Sequence, residues 1–210
     1  GSEKINIEKK TQNNSSKNLN FFEIDNLKNN DDFLKLRAEA DSHALKLKWS
    51  NKEIYLKNQP KNLNIKPLYD LSEKIRYEKI GSDKLIGVKK NIEKNYLLKL
   101  KLKRKDSLKT KDDVNVGEAF ELYLLKNFLN IPLNKISSEI LSYWENIFDE
   151  KMKNKINFLK DNFNKQEVYN STFAELIKGM NIGENHNDND ENNKDNEQEN
   201  QNAKNDSDEE

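Results

Sequence analysis

Across 210 residues, 37 lysines and arginines balance 37 aspartates and glutamates, only 33% of the side chains are apolar, and there is no cysteine. Disulfides and thiolate metal sites are therefore excluded, and no apolar run approaches the roughly 18 residues that a membrane-crossing helix needs. The neutral average conceals two parts of opposite sign: residues 183–210 hold eleven acidic side chains and two lysines, leaving residues 1–182 with 35 basic against 26 acidic groups.

An acidic stretch with nothing aliphatic larger than Ala203 cannot bury enough surface to offset its ordering entropy, so residues 183–210 are expected to form a disordered linker or tail. The remaining length suits one domain, with the cytoplasm as its default location.

In chain order, Ile5–Ile7 and Leu19–Ile24 flank a polar run and predict a small β element in an N-terminal extension over residues 1–30. Asp31 or Asp32 offers an N-cap to a helix in which Phe33, Leu36, Ala40, Ala44 and Leu47 recur at steps of three and four. Arg37 and Asp41 lie four apart on it and can pair along the surface. His43 has only His186 as a counterpart, which argues against a histidine metal site. Residues 50–66 are polar and read as an irregular connection marked by Pro60 and the following Pro67.

Pro67–Tyr96 reads as helix, glycine break, helix. Leu68, Leu71 and Ile75 form the first apolar face, and Gly81 occupies the place of a left-handed terminator. Ser82 or Asp83 can then cap a second helix carrying Leu85, Val88, Ile92 and Tyr96. Glu73, Arg76 and Glu78 interrupt the first helix, either as a structural ion-pair cluster or as a contact for another subunit. The run Lys99–Lys105 admits a strand, a helix end or a phosphate patch; without interleaved aromatics it reads as a solvated basic surface.

After a polar loop, Gly117–Leu129 predicts a helix ended by Pro132. From Asn134 a longer helix carries Ile136, Ile140, Trp144, Ile147 and Phe148, continuing through Met152, Ile156, Leu159 and Phe163 unbroken or after a break. Gln166–Lys178 forms the last helix, closed by Gly179. The expected fold is mainly α, with six helices in one domain over residues 31–182.

Signatures of catalysis are missing from this pattern. Gly81 and Gly87 lack the Gly-Lys-Ser/Thr ending of a phosphate-cradling loop, and a serine nucleophile would have only His43 as its base. The residues alone point to a non-catalytic helical module. The alternative is a basic polyanion- or nucleic-acid-binding module restrained by its own acidic tail.

Three blocks carry a family resemblance. The first is Leu36-Arg37-Ala38-Glu39-Ala40-Asp41-Ser42-His43-Ala44-Leu45; the second is Tyr69-Asp70, Glu73, Arg76, Glu78, Ile80-Gly81, Gly87-Val88 and Asn91; the third, less specific, is Glu118-Ala119, Trp144 and Asp161–Ile182. Over residues 19–182 the chain resembles the N-terminal region of the CobT-type subunit of aerobic, ATP-dependent cobaltochelatase. The resemblance makes Arg37, Glu39, Asp41, Glu73, Arg76, Glu78, Gly81, Gly87 and Asn91 signature or subunit-contact candidates.

It implies a subunit of a ligase that inserts Co²⁺ into hydrogenobyrinic acid a,c-diamide in cobalamin biosynthesis. The corrin and metal would belong to a large separate subunit, and ATP and Mg²⁺ to an AAA+ partner with which the CobT-type chain forms a ring-on-ring complex. No catalytic, cofactor or metal residue is expected in this chain, and neither a membrane nor nucleic acid among its partners. Two departures stand out. Trp49-Ser50-Asn51 replaces a His-His-Asp-like run of many relatives, and the chain is expected to stop in the acidic linker, short of a von Willebrand A-type domain.

Overall fold

The computed structural model describes residues 29–101, 110–180 and 182. The expected β element, the acidic stretch 183–210 and residues 102–109, which include the end of the basic run, lie outside the described residues. Within them the chain is mainly helical and contains no strand.

Helix α1 spans Asn30–Trp49 and is capped by Asn29, whose side chain accepts from the Asp32 amide at 2.9 Å. Asp31 and Asp32 instead sit in the first turn, where carboxylates meet the positive end of the helix dipole. The polar stretch expected to be irregular contains α2, Lys52–Asn58, because the Asn51 side chain accepts from both Glu53 N and Ile54 N and starts a helix there. So short a helix covers the body with little more than Ile54 and Tyr55, leaving its composition polar.

Helix α3, Lys66–Lys84, runs straight through the glycine expected to end it. Gly81 is helical, and a Cβ there would lie 2.3 Å from a Leu45 methyl carbon. Its role is to let α1 approach α3, not to reverse the chain. The helix ends at Leu85, in extended conformation at φ −131°, and Ser82 and Asp83 fall inside its last turn. Helix α4 follows at once as Ile86–Lys101, so the first residues of the basic run are helical.

Helix α5, Val116–Leu124, opens into a π turn over Leu125–Leu129. The stop is Asn130, which takes φ 54°, so the helix ends before Pro132 can act. Phe120, Leu122, Tyr123 and Leu124 are all fully buried, the mark of a helix surrounded by others.

The long helix expected from Asn134 is broken into α6 (Lys135–Ser142), α7 (Glu145–Met152) and α8 (Ile156–Asp161). Asn134 does cap α6, accepting from Ser137 N at 2.8 Å. The first break lies at Trp144, whose ring stacks on Phe148 with centroids 6.3 Å apart. The last helix, α9, spans Gln166–Lys178 and is closed by Gly179 in right-handed conformation at φ −69°.

Helix α3 is the hub. It packs against α1, α4, α5 and α9, while α2 rests on α9 and α5 rests on α6 and α7. Phe120, Phe148 and Phe173 meet edge to face beside it, with Phe120 centred 5.2 Å from Phe148 and 6.0 Å from Phe173. Among the described residues no helix is long and apolar enough to cross a membrane.

Candidate functional site

Eleven of the nineteen residues of α3 are buried, among them Glu73, Arg76 and Glu78. Arg76 is 1% exposed and both glutamates 2% exposed, so the trio lies in the interior, where each charge must be met.

Glu73 and Arg76 form a bidentate pair. Arg76 Nε donates to Glu73 Oε2 and Nη2 to Oε1, both at 2.8 Å. The guanidinium also donates to the Phe163 carbonyl at 2.8 Å and to the Trp49 carbonyl. The Glu73 carboxylate accepts further from Ser50 Oγ at 2.6 Å and Gln166 Nε2 at 3.1 Å. Gln166 is clamped in turn by Asn51, accepting from its amide at 2.7 Å and donating to its carbonyl at 3.0 Å. One buried ion pair thus ties the end of α1, the start of α2, the middle of α3 and the turn before α9.

The departure Trp49-Ser50-Asn51 lies at the centre of this node. Its chemistry here is a carbonyl for Arg76, a hydroxyl for Glu73 and a cap for α2.

Glu78 does not share Arg76. Five residues beyond Glu73 on α3, it faces α1 and α4, accepting from Ser42 Oγ at 2.5 Å and Tyr96 OH at 2.6 Å, with Lys74 Nζ 3.9 Å away. Burial, and then the Glu78 charge, push the Tyr96 phenol well above its ordinary pKa, so it remains a donor. Nearby, Asn91 Nδ2 donates to Asp41 Oδ2 at 2.7 Å, and Asp41 holds the exposed Arg37 at 3.5 Å.

The first two sequence blocks therefore meet. Ser42 on Glu78, Asp41 on Asn91 and Leu45 on Gly81 join α1 to α3 and α4. Glu39 lines a surface cleft of about 190 Å³ at this junction, together with Ser42, Lys74, Glu78, Asn95 and Lys99. Gly87 takes no part, with nothing within 4 Å of where its Cβ would be.

Ser50, Gln166 and Tyr96 complete these networks, yet sequence reasoning did not single them out as polar partners. Ser50 and Gln166 lie 23 and 93 positions from Glu73, and Tyr96 presents itself in sequence as part of an apolar stripe. The only local signal was an Asn-capping pattern at Asn51.

No solved structure matches the chain. A comparison with known protein families matches residues 3–210 to the family described as cobalamin biosynthesis protein CobT. Matched over nearly its whole length, and with the two most specific blocks of the resemblance joined in one helical junction, the chain belongs to the CobT family of cobalamin biosynthesis.

Proposed function

We propose that the helical body is a non-catalytic assembly region of a cobaltochelatase. It would act with an AAA+ ATPase subunit and a large corrin-binding subunit in the ATP-dependent insertion of Co²⁺ into hydrogenobyrinic acid a,c-diamide. The observation that carries this reading is the inward direction of Glu73, Arg76 and Glu78. Each is buried and hydrogen-bonded across helices, which is the work of groups that hold a shape. ATP, Mg²⁺, cobalt and corrin would then be handled by the other subunits.

Contacts with a partner must come from exposed residues. The joint between α3 and α4 presents Leu85 at 46% exposure and Ile86 at 73%, adjacent apolar side chains at the corner between the two helices. Retention of the affinity-tagged chain by the AAA+ subunit tests the reading. Wild type is expected to be retained, with Ile86→Asp retained several-fold less at unchanged thermal stability. A wild-type chain that the AAA+ subunit fails to retain, with or without ATP, would overturn it.

A further inference from the structure

Helix α1 carries two stripes of side chains, and only one of them meets the body. Ala38 and Leu45 are buried, Ser42 reaches Glu78 on α3, and Asp41 holds Asn91 on α4. The second stripe is Phe33, Arg37, Ala40, Ala44 and Leu47, and at 3.6 residues per turn it lies roughly 140° round the helix from the first. Phe33 is 57% and Leu47 52% exposed, Arg37 and Ala44 are exposed, and Ala40 is half-buried. The apolar periodicity of α1 therefore points largely away from its packing against α3 and α4.

Steps of four, three, four and three along the outer stripe are the period of a seam between two helices wound together. Arg37, its one polar member, can lay its stem along such a seam and keep the guanidinium at the edge. An antiparallel copy that sets Phe33 against Ala44 also sets Arg37 against Ala40, and two-fold symmetry repeats each layer, so large meets small four times. The same register brings Arg37 next to Asp41 of the other copy. These are the charged groups nearest the seam, they already lie 3.5 Å apart within one chain, and opposite charges would meet at both ends of the two-fold. A parallel copy would instead set Arg37 against Arg37.

We propose that the outer face of α1 is a self-association surface, on which a second copy of this chain seats antiparallel about a two-fold axis between Arg37 and Ala40. A seam of roughly 20 Å buries less than the about 1,200 Å² at the lower limit of stable interfaces, so the dimer is weak. The face is separate from the corner at Leu85 and Ile86. Self-association and retention by an AAA+ subunit are separate observables, so either can fail alone.

Sedimentation velocity of the full chain alone, from about 10 μM to 1 mM at about 0.15 M salt, reads the dimer directly while screening long-range attraction. The mean mass should rise from monomer towards dimer. Leu47→Asp, at an exposed position, should move the midpoint at least about tenfold higher with Tm at low concentration unchanged. Because the chain has no cysteine, Ala40→Cys gives a single thiol near the two-fold, and a short bismaleimide should link it into dimers several-fold faster than Gly87→Cys, which is exposed on α4. A monomer at every concentration, association unchanged by Leu47→Asp, or equal linking at the two cysteines overturns the proposal. An Ala40→Cys thiol that maleimide cannot reach would put another part of the same chain on the seam, which overturns it as well.

Discussion

Arg76 shows how far one side chain governs this body. It reaches the Trp49 and Phe163 carbonyls, which lie 27 and 87 positions away, and its charge is neutralised by Glu73 one turn back. Removing one partner of such a pair leaves an uncompensated buried charge. Arg76→Met should therefore cost about 3–5 kcal/mol in urea unfolding. The double variant Glu73→Leu with Arg76→Met should lose less than Arg76→Met alone, since it buries no orphan charge; a larger loss would show that the pair contributes more than it costs. Sequence reasoning marked Glu73, Arg76 and Glu78 as one cluster. Burial divides them into two networks facing different neighbours, a distinction that i,i+3 spacing on one helix does not contain.

At the scale of the helices, the two signature glycines separate. Gly81 is in the interior of α3 against Leu45, and Gly87 is exposed near the start of α4. Gly81→Ala should destabilise by about 1–3 kcal/mol through overpacking, and Leu45→Ala in the same chain should recover part of that loss. Gly87→Ala meets no atom and should be neutral or stabilising by about 0.4–1 kcal/mol, through reduced freedom of the unfolded chain. Thermal melts of the three variants decide the matter. Equal effects of the two glycine substitutions would contradict the close approach of α1 to α3. The boundary between these helices was misplaced in sequence because glycine marks a chain reversal and a close helix contact equally well. The π turn after α5 and the break at Trp144 escaped for a related reason, since both sit inside unbroken apolar periodicity.

The whole body is built around tyrosines that must stay neutral. Tyr55, Tyr69, Tyr77, Tyr96, Tyr123 and Tyr169 all have pKa values raised above the ordinary 10.0, in each case chiefly by burial. For Tyr55, Tyr96 and Tyr123 a hydrogen bond to Asp70, Glu78 or Asp149 adds to the shift. In the unfolded chain these phenols lose their protons near pH 10, whereas the folded state keeps them. The stability they contribute is complete below that pH and falls as pH rises above it. Stability in urea should thus be flat across the approach to pH 10 and drop steeply beyond, with phenolate absorbance appearing together with loss of helical circular dichroism. Ionisation of these tyrosines before unfolding would contradict their burial.

Periodicity and capping residues were enough to determine that the described part of this chain is mainly helical, to set α1, α5 and α9 within a few residues and to isolate the polar signature of α3. Local spacing carries that information because helix formation depends on neighbours three and four positions away. Tertiary structure alone decided that Gly81 is a contact instead of a turn, that Trp49-Ser50-Asn51 serves a buried ion pair, and that Glu78 faces α1 and α4. Each of those outcomes depends on which helix lies opposite, and the partners are supplied by residues tens of positions away.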